Sequence, residues 1–192
     1  IDSFFIYRET NVTDMYEKIG ALSYDAISIF TDQTSSPMVN SNQYKISLVD
    51  TCGFQSNMSS SHKTMHLTIN QGMGNTWNLI WQPYQGFIVN TYNIYRGTTP
   101  TQMQLLGTIS GANSQYTDLN PPSGYVYYQV EVVAPYSCVP RSKSGYQSSR
   151  SNIASNATIA IEIYVNYGTF QLYPNPAREV IHIDFQMSSL DI

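Results

Sequence analysis

His62 and His66 stand four residues apart, the spacing at which two imidazoles on one helical face grip a zinc ion. The segment around them reads as a strand, where four residues span about 13 Å at roughly 3.3 Å each. Two ligands of one ion cannot lie that far apart. His182 is the only other histidine, so a histidine-based hydrolase triad has little material either. Cys52 and Cys138 sit at equivalent places in two similar stretches of chain. In a head-to-tail pair of domains they would be about one domain length apart, beyond the roughly 7 Å that a disulfide allows between Cα atoms. Both are expected unpaired or packed locally, unless the domains fold back on each other. Neither has a neighbouring His or Lys in sequence to activate it as a nucleophile. Asp50-Thr51-Cys52-Gly53 and Thr117-Asp118 offer loop carboxylates of the kind calcium uses. No Asp-x-Asp-x-Asp run supports such a site, and turn-stabilising Asp side chains account for both. The thirteen acidic residues are scattered, without a glycosidase-like pair set across a cleft. The expectation is no catalytic residue, no metal and no cofactor.

The binding candidates are Arg141, Lys143, Tyr146 and Arg150, which lie among serines between Cys138 and Thr158. This stretch exceeds its counterpart between Cys52 and Thr64 by eight residues (20 − 12). Loops at the ends of β-sandwiches host recognition, and Arg with Tyr suits carboxylates or sugars. A solvated Ser-rich loop is the competing account. Tyr84, Phe87, Tyr136 and Tyr146 are candidates for an aromatic platform.

The elements that must position these residues are announced by an internal repeat. Phe4-Phe5-Ile6-Tyr7-Arg8 returns as Tyr92-Asn93-Ile94-Tyr95-Arg96, a shift of 88 (94 − 6). Phe30-Thr31-Asp32 returns as Tyr116-Thr117-Asp118, a shift of 86 (118 − 32), and Tyr44-Lys45-Ile46 as Tyr128-Gln129-Val130, a shift of 84 (128 − 44). Such lengths are whole small domains, since solenoid units run roughly 20 to 50 residues. Alternation at period two dominates, and no 3.6-residue pattern is convincing. Trp77, Leu79 and Trp81 share one strand face, Tyr92, Ile94 and Arg96 another, Tyr128, Val130 and Val132 a third, and Ile159, Ile161 and Ile163 a fourth. Turn signals such as Gly97-Thr98-Thr99-Pro100 and Asn120-Pro121-Pro122-Ser123-Gly124 separate them. Short strands with such turns predict an antiparallel sandwich.

Composition agrees. Of 192 residues only 11% are charged, and sixteen are tyrosine against seven phenylalanine, which suits half-buried strands with polar, uncharged outer faces. A net charge of −4 argues against a nucleic-acid partner, which calls for a basic stripe. No run of about 18 apolar residues exists to span a membrane as a helix.

Leu79-Ile80-Trp81-Gln82-Pro83, then Tyr92-Asn93-Ile94-Tyr95-Arg96, then Tyr128-Gln129-Val130-Glu131-Val132, resembles a fibronectin type III domain. The resemblance covers roughly residues 75–165 and implies a core Trp81 on strand B, Tyr92 and Ile94 on C, and Tyr128, Val130 and Val132 on F. The approach from Leu119 to Tyr128 is longer than the family pattern. The first copy then opens on strand C, with C′ at residues 18–22, E at 27–32, F at 44–49 and G at 64–69. Strands A and B have no counterpart, so the sandwich is expected to expose its core and an edge, with the missing strands upstream or supplied by another polypeptide. Only Gln71-Gly72-Met73-Gly74-Asn75 is left between the copies. Either residues 64–69 serve both domains or the second lacks strand A, and both cases predict a short junction with restricted bending.

Leu172-Tyr173-Pro174-Asn175-Pro176-Ala177, followed by the alternating Ile181-His182-Ile183-Asp184-Phe185, is similar to the opening of the C-terminal sorting domain of type IX secretion cargo. That resemblance implies export across a Gram-negative outer membrane and a secreted or cell-surface location. The sequons at Asn11, Asn57 and Asn156 are then chance matches.

The expected organisation is all-β: two immunoglobulin-like or fibronectin type III-like sandwiches in tandem, over 1–70 (lacking strands A and B) and 71–165, then a shortened sorting domain over 166–192. The function expected is a non-catalytic spacer or adhesion module of a larger exported protein. Its partners would be the upstream part of that protein and the type IX export machinery. The alternative is a glycan- or protein-binding module of a secreted hydrolase.

Overall fold

The computed structural model describes residues 1–26, 28–135, 147–157, 168–173 and 182–187. The chain is all-β, with antiparallel sheets and no helix among the described residues. It divides into two compact units, Ile1–Ala157 and Thr158–Ile192.

The first unit opens with β1 (Ser3–Glu9), β2 (Tyr16–Ser23), β3 (Gln43–Val49) and β4 (His62–Lys63), which form one sheet in the order β2-β1-β3-β4. Next come β5 (Leu67–Gln71), β6 (Trp77–Trp81), β7 (Thr91–Thr99), β8 (Gln102–Ser110), β9 (Gln115–Asp118), β10 (Tyr127–Val133), β11 (Ser148–Arg150) and β12 (Ala154–Ser155). They build two sheets, β5-β6-β9 and β11-β10-β7-β8, with β12 paired to β10.

The repeat extends to register. Ile6 pairs with Ile46 and Arg8 with Tyr44 across β1 and β3; Ile94 pairs with Val130 and Arg96 with Tyr128 across β7 and β10. Each copy also carries a bulge just after the shared Ile, between Ile6 and Tyr7 and between Ile94 and Tyr95. In the second copy the two sheets enclose one core. Leu67, Leu79 and Trp81 meet Tyr92, Ile94, Tyr128, Val130 and Val132, all at 3% exposure or less. Each such side chain contributes about 1.5–3 kcal/mol on burial.

The structure departs from the expected strand map in two places. Residues 28–32, expected as the first copy's strand E with residue 27, are not a strand. Their counterpart β9 is one because β6 lies beside it, with Leu79 paired to Tyr116 and Trp77 to Asp118; no described strand flanks residues 28–32. The stretch expected as a shared strand G is divided: β4 pairs with β3, while β5 pairs with β6. Of residues 71–75, expected to separate the copies, Gln71 ends β5 and the rest belong to the β5–β6 turn, where Gly72 N–H donates to Thr76 O (3.0 Å) and Gly74 supplies a φ of +66°. The crossing between copies lies at residues 64–66. It is tied on both sides by Lys63 N–H to Gln85 O (2.8 Å) and Gln82 N–H to His66 O (3.0 Å).

In the second unit, β13 (Gly168–Tyr173) and β14 (His182–Met187) form an antiparallel pair with Phe170 opposite Phe185. Residues 158–163, expected as the closing strand of the second copy, lie outside the described residues.

Candidate functional site

The polar residues that the repeat brings together are Arg, Asp and Tyr, once in each copy. In the second, Arg96 on β7 sends Nη1 to both oxygens of Asp118 at the end of β9 (3.0 and 2.8 Å). Tyr128 on β10 donates its hydroxyl to Asp118 Oδ2 (2.7 Å), and Asn120 N–H donates to Oδ1 (3.2 Å). Asp118 is 3% exposed and Tyr128 fully buried. In the first, Arg8 Nη1 donates to Asp32 Oδ2 (2.9 Å), the Tyr44 hydroxyl donates to the same oxygen (3.0 Å), and Thr34 donates to Oδ1 through N–H and hydroxyl (3.0 and 2.8 Å).

Burial and the adjacent Asp32 push the Tyr44 hydroxyl up to about 12, and burial with Asp118 carries Tyr128 higher still. Burial alone would raise the Asp32 carboxyl, but the hydrogen bonds from Thr34 and Tyr44 outweigh it and hold the group below its usual range. Burial alone would lower Arg8, and Asp32 reverses that. These shifts move Asp32, Tyr44 and Tyr128 away from neutrality, where a general acid or base needs to titrate. Each constellation is therefore a clamp. It ties the sheet strands to the segment lying across them, and the carboxylate of Asp118, weighed from sequence as a calcium donor, is used up within it.

Of the sequence-predicted binding residues, Arg150 is described and Arg141, Lys143 and Tyr146 lie outside the described residues. Arg150 on β11 donates from Nε to Glu131 Oε1 (2.9 Å) and lies over the Tyr95 ring, 5.4 Å from its centroid. Glu131, only 6% exposed, also accepts from the Tyr95 hydroxyl (2.8 Å) and Asn93 Nδ2 (3.3 Å). Burial would raise its carboxyl, but the donors Tyr95, Arg150, Ser148 and Asn93 bring it below the usual range. Arg150 thus has a structural partner of its own.

Tyr84 and Phe87 do meet, with ring centroids 4.5 Å apart, and His62 from β4 sets its ring edgewise to both. Tyr84 and Phe87 are half packed against the second core, and His62 reaches them from the first copy's sheet. Tyr136 lies outside the described residues. His66 bonds through Nε2 to Met38 O (3.2 Å), well apart in role from His62. Cys52 is exposed and free, next to Asp50, whose Oδ1 accepts from Cys52 and Phe54 N–H as a turn-stabilising Asp does; Cys138 lies outside the described residues. Among the described residues no three His, Cys, Asp or Glu come close enough to hold a metal.

The first copy has one further feature. Phe4, Ile6, Leu22, Phe30, Tyr44 and Ile46 line a cavity of about 840 Å³ on the face of its sheet. Asp32 at its rim belongs to the clamp. Phe30 lies on Gly20, where any Cβ would run into its ring, and Tyr116 sits over Gly107 in the second copy.

No family model and no curated protein matches this chain. Weakly similar solved structures include three of pectate lyases. Two are of pectate lyase Pel3 from Pectobacterium carotovorum, at 19% identity with TM-scores of 0.40 and 0.39, covering 52% and 50% of this chain and 28% of the lyase. The third is pectate lyase PelI from Erwinia chrysanthemi in complex with tetragalacturonic acid, at 23% identity and a TM-score of 0.39, covering 50% of this chain and 29% of the lyase. The chain thus spans less than a third of the length of these enzymes. No fold or activity is carried over from them.

The sorting motif is described only at Leu172 and Tyr173, the last two residues of β13. Pro174, Asn175, Pro176 and Ala177 lie outside the described residues. The clamps escaped the sequence analysis although their members were aligned. The missing signal was that Arg8, Asp32 and Tyr44 repeat together, at three slightly different shifts.

Proposed function

We propose that this chain is a tandem of fibronectin type III-like modules acting as a non-catalytic spacer or adhesion segment of a secreted or cell-surface bacterial protein. The observation that carries this is the doubled Arg–Asp–Tyr clamp. In both copies the ionisable groups best placed for chemistry are engaged with one another, holding sheet to covering segment. The junction supports it as well, since two modules tied by backbone hydrogen bonds at residues 63–66 and 82–85 hold a load at a set distance better than a free linker does. Export by the type IX route rests on the Leu172-to-Ala177 motif, and partnership with an upstream protein rests on the spacer role itself. The alternative, a glycan- or protein-binding module, draws on Arg141, Lys143 and Tyr146.

A glycan array probed with the whole chain separates the two. The spacer role predicts no glycan retained above background. Retention that disappears on Tyr146→Ala or Arg141→Ala would replace it with the binding role.

A further inference from the structure

Modules strung on one chain move against each other unless something besides the linker holds them. Here Thr64, Met65 and His66 carry the chain between the copies, and each is engaged. Thr64 N–H donates to Asn42 O, and its hydroxyl accepts from Asn42 N–H (both 2.9 Å), on the side of the first copy. Met65, 3% exposed, packs into the second core. His66 answers to both, through Nε2 on Met38 O and through its carbonyl on Gln82 N–H.

A loop of the second copy, residues 82–87, makes a second attachment. Gln85 exchanges backbone hydrogen bonds with Lys63 (2.8 and 3.3 Å), so the first copy's sheet gains one antiparallel rung from the second copy. Ser41 Oγ donates to Gln82 Oε1 (2.5 Å), and His62 Nδ1 lies 2.5 Å from the Tyr84 hydroxyl. The loop is rooted in the second core, because Tyr84 N–H donates to the hydroxyl of Tyr92 (3.3 Å), itself 1% exposed. Gly86 is what lets the loop and His62 come together. Its φ of +144° is one that side chains disfavour, and a Cβ there would stand 2.3 Å from His62 Nδ1.

We propose that residues 82–87 are a strap that fixes the angle between the two copies, with Gly86 and His62 as the pair that lets it close. A single crossing is a pivot, and a second attachment away from it removes the rotation. Tyr84 and Phe87, candidates from sequence for a binding platform, serve instead to carry the second core's packing out to His62. The spacer reading supplies the use of a fixed angle, and for that use alone the strap rests on it.

Residual dipolar couplings and amide hydrogen exchange on the whole chain test the strap. In the unaltered chain, couplings from β1 and β3 and from β7 and β10 are expected to fit one alignment tensor. Gly86→Ala pushes the loop off the His62 ring. Two tensors should then be needed, and the Lys63 and Gln85 amides should exchange at least about tenfold faster, while Ile94 and Val130 stay protected. His62→Ala, a change at an exposed position, leaves both copies folded and should speed the Gln85 amide by at least about threefold. Adding Gly86→Ala to His62→Ala should accelerate exchange by a smaller factor than adding it to the unaltered chain, since only the backbone strain is left. One shared tensor in Gly86→Ala, two tensors in the unaltered chain, or the same effect of Gly86→Ala with and without His62 would overturn the strap. Glycan retention on the array would overturn the spacer reading and leave the single tensor as it is.

Discussion

Asp118→Ala is expected to cost about 3–5 kcal/mol, because it leaves a partly buried guanidinium without its counter-ion and a wholly buried tyrosine hydroxyl without its acceptor. Arg96 and Tyr128 both converge on this carboxylate, and Asp118 also ties β9 to β7 and β10 from the opposite sheet. A loss of that size is a large part of the roughly 5–15 kcal/mol that holds a domain together. Urea unfolding followed by tryptophan fluorescence reads it directly, since Trp77 and Trp81, the chain's two tryptophans, lie in the second copy. Asp32→Ala in the first copy should cost less, about 1–2 kcal/mol, because Tyr44 is only half-buried and its freed hydroxyl reaches water. Equal losses at the two positions would show that the clamps are not loaded as their burial indicates.

Val130→Asp should prevent the second copy from folding, whereas Ile46→Asp should leave the chain folded. Both residues stand opposite the shared isoleucine, Val130 against Ile94 and Ile46 against Ile6. An ionised carboxylate at Val130 would be sealed in the core, at a cost of several kcal/mol. At Ile46, with nearly half its surface in water, the carboxylate stays hydrated. Circular dichroism and size-exclusion chromatography separate the outcomes. A chain unfolded by Ile46→Asp would mean that this face is already covered.

Much of this architecture was legible in the residues. Alternating Tyr92-x-Ile94 and Tyr128-x-Val130-x-Val132 pointed to inward faces, and all five side chains are buried. The repeat placed Ile6 and Ile94 at equivalent points, and even their bulges coincide. The pairing of residues 64–71 was not legible, because an apolar alternation states which side chains face inward but not which neighbour supplies the hydrogen bonds. Likewise Ile29 and Phe30 carry strand propensity, yet propensity alone does not make an edge without a partner strand. The binding candidates were the least legible. Arg150 looked available for a ligand because sequence does not show that Glu131, nineteen residues away, lies beside it.

The central claim is that one design occurs twice, closed by its own hairpin in the second copy and open in the first. Hydrogen exchange on the unaltered chain, resolved by residue, tests it most directly. Amides at Ile94 and Val130 should exchange only through unfolding of the whole second copy. Those at Ile46 and Leu48, whose side chains are 45% and 38% exposed, should exchange at least about tenfold faster, through local opening of an uncovered sheet. Equal protection at the four positions would contradict the account.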